Sequence, residues 1–326
     1  MSTIQVVGHV CVDLTPDLGS TGVAAPGHLA VVGPMRITIG GAVGNCGRAL
    51  AGLGVDATLS GAIGDDELGG VCLRTLRAHP GATVDLQVLP GASTSYSVVV
   101  QPTGVDRSFW HHTGANDLFT ADCAVSAEKI LHFGYPSLVP GVCADDGAPL
   151  LRLYERAHAQ GVATSLDLAF VADNSPVRGL DWERLLRSLL TRTDVFCPSW
   201  DDLANALNLP PVADRDLVEE WAQRFLDSGA AVVLITLGEG GAFLRTAAVE
   251  RLAGLGSSGI DPAAWGDGAW WTSAPPVERV VTTNGAGDTY TAAFLTRLAA
   301  GEGPSECLAF ANDVVARHIA GRPLLP

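Results

Sequence analysis

The run Ala231-Val232-Val233-Leu234-Ile235-Thr236-Leu237 is almost wholly apolar and ends in Gly238-Glu239-Gly240-Gly241. Its length, its β-branched residues and the closing glycines read as a strand. The run does not alternate, so both faces must be covered, as in a parallel sheet with helices on either side. The flanking pattern repeats this rhythm. Strands are expected at Gln5 to Asp13, Ala57 to Ser60, Thr94 to Gln101, Ile130 to Phe133, Thr164 to Leu168 and Asp194 to Cys197. Helical spacing appears in Val43, Cys46, Leu50 and Leu53, in Leu150 to Ala157, in Leu217, Trp221 and Phe225, and in Tyr290 to Ala300. No internal repeat or low-complexity linker interrupts the chain, so one α/β core is expected.

Open α/β sheets bind ligands beyond the carboxyl ends of their strands. Polar residues gather at such places here: Asp13 after the first strand, Asp167, Ser199 to Asp202, and the glycine loop after Leu237. The stretch from Thr15 to Pro34 is rich in Gly, Pro and Ala and long for a structureless loop, so a flap or extra strands are expected. The segment from Arg107 to Asn116 is dense in polar and aromatic residues and reads as flap or substrate wall. Its adjacent His111 and His112 would point to opposite faces of a strand, which argues against one metal shared by that pair.

Thr282-Thr283-Asn284-Gly285-Ala286-Gly287-Asp288 leads into the apolar-periodic Tyr290 to Ala300. The amides of a first helical turn have no partner within the helix, and with the helix dipole they form a seat for an anion. Asp288 in that turn could accept a proton from a nucleophile, which suggests phosphoryl transfer to a hydroxyl. Such a turn is also common packing punctuation, and an Asp there is a favourable dipole partner. The stretch alone does not separate the two. Gly40-Gly41 before the helix that carries Asn45 poses the same choice between tight packing and binding of sugar hydroxyls.

The 326 residues, 47% hydrophobic and 17% charged, suit a chain with a sizeable core. A net charge of −15 with no basic stripe argues against a nucleic-acid partner. Seven dispersed cysteines without a Cys-x-x-Cys pair fit reduced thiols in a cytoplasmic protein. No signal peptide and no membrane span are expected, since the longest strand-like apolar run, Ala230 to Leu237, is far too short to cross a bilayer. The first strand leads to Gly8-His9-Val10-Cys11, which lacks the Gly-x-Gly-x-x-Gly of a nicotinamide dehydrogenase.

Taken in order from Val6 to about Ala320, these motifs resemble the ribokinase-like (PfkB) carbohydrate kinase family. The resemblance rests on several elements. They are Gly8 to Asp13; Gly40, Gly41 and Asn45; Gly61 through Asp66 to Gly69; Arg107 with Gly114 to Asn116; Thr236, Gly238 and Gly241; and Gly285 to Asp288. It implies a three-layer α/β/α core, a mostly parallel central sheet and a small β-rich lid. The chain would be a single domain over residues 1–326, with lid segments at about 14–38 and 91–113.

The resemblance also implies an ATP-dependent transfer of the γ-phosphoryl group to a primary hydroxyl of a small sugar or sugar acid. Asp288 would be the general base, with the amides of Gly285, Ala286 and Gly287 around the transferring group. Asp13, Gly40, Gly41, Asn45, Arg107 and Asn116 would bind the acceptor. Thr236, Gly238, Gly241 and Asn312 would line the nucleotide site. Mg²⁺ would bridge the phosphates, with Asp202 an indirect support. A homodimer through the lid is a further expectation.

Two departures from the family pattern stand out. Thr282-Thr283-Asn284 replaces Asp-Thr-x, which removes a carboxylate that often helps to hold a monovalent cation and puts potassium activation in doubt. Ser199-Trp200-Asp201-Asp202 replaces Asn-x-x-Glu, which shortens one carboxylate and loses one amide. A nucleoside kinase, with Phe109 and Trp110 as the wall for a base, is the nearest alternative. A sugar-binding regulatory protein with a decayed kinase site is the other.

Overall fold

The structure is a computed structural model that describes residues 2–19, 21, 24–102, 108–212 and 214–325. Its strands are β1 (Ser2–Gly8), β2 (Cys11–Pro16), β3 (Met35–Gly40), β4 (Ala57–Gly64), β5 (Ala82–Leu89), β6 (Tyr96–Val100), β7 (Ser108–His112), β8 (Ala127–Gly134), β9 (Ala163–Leu166), β10 (Val195–Phe196), β11 (Val232–Thr236), β12 (Ala242–Thr246) and β13 (Ala269–Thr272). The helices are α1 (Gly41–Gly52), α2 (Glu67–Arg77), α3 (Ala144–Ala159), α4 (Trp182–Leu190), α5 (Trp200–Leu207), α6 (Arg215–Asp227), α7 (Val249–Leu252), α8 (Pro262–Trp265), α9 (Ala286–Ala299) and α10 (Pro304–Ile319).

The large sheet runs β13-β12-β11-β10-β9-β8-β1-β4-β5. Pairing is parallel from β5 to β11 and antiparallel at β12 and β13. The apolar run that reads as a doubly covered strand is β11. Val232 and Leu234 belong to the core with α1, α2, α9 and α10, whereas Val233 and Ile235 belong to the core with α3 to α6. The layers are therefore helix, sheet, helix. Each fully buried Val, Leu, Ile or Phe contributes about 1.5–3 kcal/mol, so a central strand filled with them anchors both halves of the core.

A second sheet runs β3-β2-β6-β7 and forms the lid. Here the first expected strand divides. Gln5 to Val7 stay in the large sheet as part of β1, and Cys11 to Asp13 join the lid as part of β2. The apolar run conceals the break because both halves are buried; only Gly8, at φ 126°, marks the corner. In the lid, register aligns Thr38, Asp13, Ser97 and His111 in one row across the four strands. The neighbouring row, Ile37, Leu14, Val98 and Trp110, points the other way. Phe109 and Trp110 consequently lie on opposite faces, so they do not form the joint aromatic wall anticipated for a nucleoside base. Met35, Ile37 and Trp110 are exposed on the outer face.

Pro276 to Val281, ahead of the Gly285 turn, carries no strand pairing. The strands β5, β12 and β13 extend the sheet beyond what the apolar runs suggest. Among the described residues, no helix is long and apolar enough to cross a membrane.

Candidate active site

The helix α9 begins at Gly285, whose φ of 72° is left-handed. A Cβ there would also lie 2.9 Å from the Asn45 side chain, so glycine is needed for both the turn and the approach. Thr289 Oγ1 donates to Gly285 O at 2.7 Å and closes the turn. Asp288, 6% exposed, then projects toward the start of α1. Asn45 Nδ2 donates to its Oδ2 at 2.9 Å, and the Tyr135 hydroxyl donates to both carboxylate oxygens at 2.7 and 2.8 Å. Arg48 Nη2 in turn donates to Asn45 Oδ1 at 2.9 Å, which orients that amide. Burial lifts the Asp288 carboxyl above the usual carboxylate range, and the Tyr135 and Asn45 donors pull it partly back. Neither Tyr135 nor Arg48 was anticipated from sequence. Tyr135 lies 153 residues from its partner and belongs to no local pattern.

On one side of Asp288 lies the inner face of the lid. Asp13, 5% exposed, accepts from Asn284 Nδ2 at 3.2 Å and from the Cys11 thiol at 3.5 Å. Asn284, which belongs to one of the departures noted in the sequence, therefore ties the Asp13 carboxylate to the turn that carries Asp288. Gly40 precedes α1 with no side-chain cap, because a Cβ there would fall 2.4 Å from the Asp13 carboxylate. Gly41 abuts His9 in the same way. Burial raises the Asp13 carboxyl; bonds from Asn284 and Cys11 oppose that shift.

Other expected acceptor residues fare differently. Asn116 is fully buried, and its Nδ2 donates to Val10 O and Thr113 O while its Oδ1 accepts from Val10 N. Both amide hydrogens are thus engaged by main chain, so Asn116 braces the corner between β1 and β2 instead of offering an amide to a ligand. Arg107 lies outside the described residues.

On the other side of Asp288 opens a cavity of about 480 Å³. Thr236, Gly238 and Gly241 line one end, with Ala286 and Gly287 of the α9 turn nearby. Pro276, Val277 and Val280 face Val315 and Ile319 across it, a pair of apolar walls suited to a flat ring. Asn312 also lines this space, but its Nδ2 donates to Thr272 Oγ1 at 2.6 Å. The amide of Ala286 donates to Thr283 O at 3.2 Å, which engages one member of the expected anion cradle. Gly287 meets no atom within 4 Å where a side chain would stand, so the first turn is open to the cavity. A phosphate chain fits such an opening at a helix N-terminus.

Asp167 and Asp202 lie near enough to Asp288 for its charge to act on both. Asp167 is buried and held well above the usual range by burial and by the charges of Asp288 and Asp202. Asp202 is pushed up to about 7, first by burial and then by Asp201 and Asp288, against a bond from Ser199. Ser199 caps α5, and its hydroxyl donates to Asp202 Oδ2 at 2.5 Å. Carboxylate oxygens are the donors that suit Mg²⁺. Thr282, in the position of the missing carboxylate, accepts from Asn284 N through its hydroxyl at 3.1 Å.

The model of the pfkB family carbohydrate kinases matches residues 1–319. A curated relative from Arabidopsis thaliana, named "Probable fructokinase-4", is 24% identical over 304 residues, covering 91% of this chain and 82% of that protein. The structure of Arabidopsis thaliana ribokinase complexed with ribose and ATP superposes with a TM-score of 0.71 at 20% identity, over 98% of this chain and 92% of that one. An E. coli protein solved with ATP and Mg²⁺ gives a TM-score of 0.69 at 19% identity, over 100% and 95% of the two chains.

Proposed function

The chain belongs to the pfkB family of carbohydrate kinases, and from that membership we propose that it transfers the γ-phosphoryl group of ATP to a primary hydroxyl of a small sugar or sugar acid. The observation that carries this reading is the place of Asp288. It is buried at the first turn of α9, bonded to Asn45 on the lid side and adjacent to a helix start that opens on the 480 Å³ cavity. A hydroxyl and a phosphate chain entering from the two sides would meet at this carboxylate.

Asp13 and Asn45 bind hydroxyls of the sugar and aim the reactive one at Asp288. An Asp288 carboxylate oxygen accepts the hydroxyl proton as the oxygen attacks, a contribution of about 10²–10⁴-fold. With the Ala286 amide engaged, the amides of Gly285 and Gly287 are left of the expected cradle to hold the charge of the transferred group. Asp167 and Asp202 would hold Mg²⁺, which would neutralise charge on the phosphates. Thr236, Gly238 and Gly241 shape the nucleotide loop, and the lid excludes water from the reacting atoms.

Release of ADP across a panel of sugars, sugar acids and nucleosides, with Mg²⁺ and with or without potassium, tests the proposal. Turnover is expected with a sugar or sugar acid, at a rate unchanged by potassium, because Thr282 stands where the family carries the carboxylate that helps to hold that cation. Turnover confined to nucleosides would move the acceptor class to bases that stack on Phe109, which shares the inner lid face. Binding without turnover for every ligand would point to a regulatory protein with a decayed site. The exposed Met35, Ile37 and Trp110 support a dimer paired through the outer lid face. A monomer in sedimentation at working concentration would refute that pairing.

A further inference from the structure

His9 stands at the corner where the chain leaves β1 for the lid and is 2% exposed. Both of its ring nitrogens are buried with no hydrogen-bond partner among the described residues. A buried polar group left unsatisfied is costly, so an imidazole with two orphaned nitrogens is suited to take a ligand. Cys11 follows at the start of β2, and its thiol is buried beside Asp13. His111 reaches the same point from β7. Its row in the lid sheet places it beside Ser97, whose Oγ lies 3.0 Å from His111 Nδ1. The rings of His9 and His111 meet edge to face, with centroids 5.1 Å apart. One ligand atom from each of His9, Cys11 and His111 lies within 4.8 Å of the other two.

We propose that His9, Cys11 and His111 form a zinc site at the mouth of the acceptor pocket, and that its occupancy shuts out the sugar. Two imidazoles and a thiolate are the donors of a borderline-soft ion, whereas Mg²⁺ takes oxygen. Zinc–nitrogen bonds of about 2.0–2.1 Å and a zinc–sulfur bond of about 2.3 Å bring tetrahedral ligand atoms to roughly 3.5 Å apart. From ligand atoms within 4.8 Å of one another, the three groups reach that spacing by closing on a common centre. The fourth position is left for water. As the zinc–sulfur bond forms, the Cys11 S–H bond breaks and its proton passes to buffer. The ion binds both lid strands to the corner that carries His9, with the ring of Tyr135 next in line at 5.8 Å from His9.

Cobalt serves as the spectroscopic probe, with no nucleotide or sugar present. Titration of the full chain with Co²⁺ is expected to saturate at one equivalent. It should give a thiolate charge-transfer band in the near ultraviolet and the intense visible bands of a tetrahedral ion, both erased by Zn²⁺. Cys11→Ser is expected to abolish the charge-transfer band, and His111→Ala to weaken zinc binding at least tenfold. If Cys11→Ser fails to fold by circular dichroism, His111→Ala alone decides. A spectrum without the thiolate band, a band that persists in folded Cys11→Ser, or unchanged affinity in His111→Ala overturns the site. In the turnover assay, zinc is expected to raise the apparent KM for the sugar and leave that for ATP unaltered; inhibition competitive with ATP overturns the exclusion of sugar. The cobalt readout needs no turnover, so it stands or falls apart from the kinase reading.

Discussion

Asp288→Asn is expected to lower turnover by about two to four orders of magnitude while ATP still binds, as an enzyme loses when its general base is removed. The amide keeps the shape of the side chain and can still accept from Asn45 and Tyr135, so the local fold persists. It cannot take the proton of the acceptor hydroxyl. Rapid-quench turnover and equilibrium nucleotide binding measure the two effects separately, and near-native turnover in the variant would refute the base. The same residue sets the acidic limb of the pH profile. Burial raises the Asp288 carboxyl, and Tyr135 opposes that rise by donating to both oxygens. The base acts only when ionised, so activity falls as pH drops through its raised pKa. Tyr135→Phe removes a bond that favours the ionised form. The acidic limb is therefore expected to move to higher pH, whereas a merely structural role for Tyr135 would leave its position unaltered.

Asp13→Asn is expected to lower kcat/KM for the acceptor about 10²-fold and to raise thermal stability at neutral pH. Two charge-assisted bonds to sugar hydroxyls become neutral ones, a loss of about 1.5 kcal/mol each, and each 1.4 kcal/mol is tenfold. The stability effect has the opposite sign. Burial places the Asp13 carboxyl above its unfolded value. The folded protein therefore holds the proton more tightly than the unfolded chain, and its stability falls as pH rises through the folded pKa. Neutralising the group removes that cost, so the gain is expected at about pH 7.5 and should vanish below the ordinary carboxylate pKa of about 3.9. Thermal melts at the two pH values, beside the kinetics, check both parts. A variant that loses stability at neutral pH would show that the Asn284 bond outweighs burial of the charge.

The parallel core was legible because its signals are local. The unbroken apolar stretch at Val232 to Ile235 says that both faces are covered, whichever helices cover them. The spacing of Val43, Cys46 and Leu50 announces α1, and the Gly285–Asp288 turn announces a helix start open to an anion. Less was legible where register decides. Gln5 to Asp13 reads as one strand, because an apolar run does not show that it leaves one sheet for another at His9. Phe109 and Trp110 are neighbours in sequence, yet the lid divides them between its faces.

Sequence by itself determined the layered α/β architecture, the acidic helix start and the family to which those motifs belong, since each depends on residues a few positions apart. Only the tertiary structure decided what surrounds them. Tyr135 reaches Asp288 across 153 residues, and Asn284 reaches Asp13 across 271. Asn116 turns to main chain, and His111 meets His9 across the lid. These contacts arise from strand order and pleat, which a one-residue slip would reverse, so no local pattern records them.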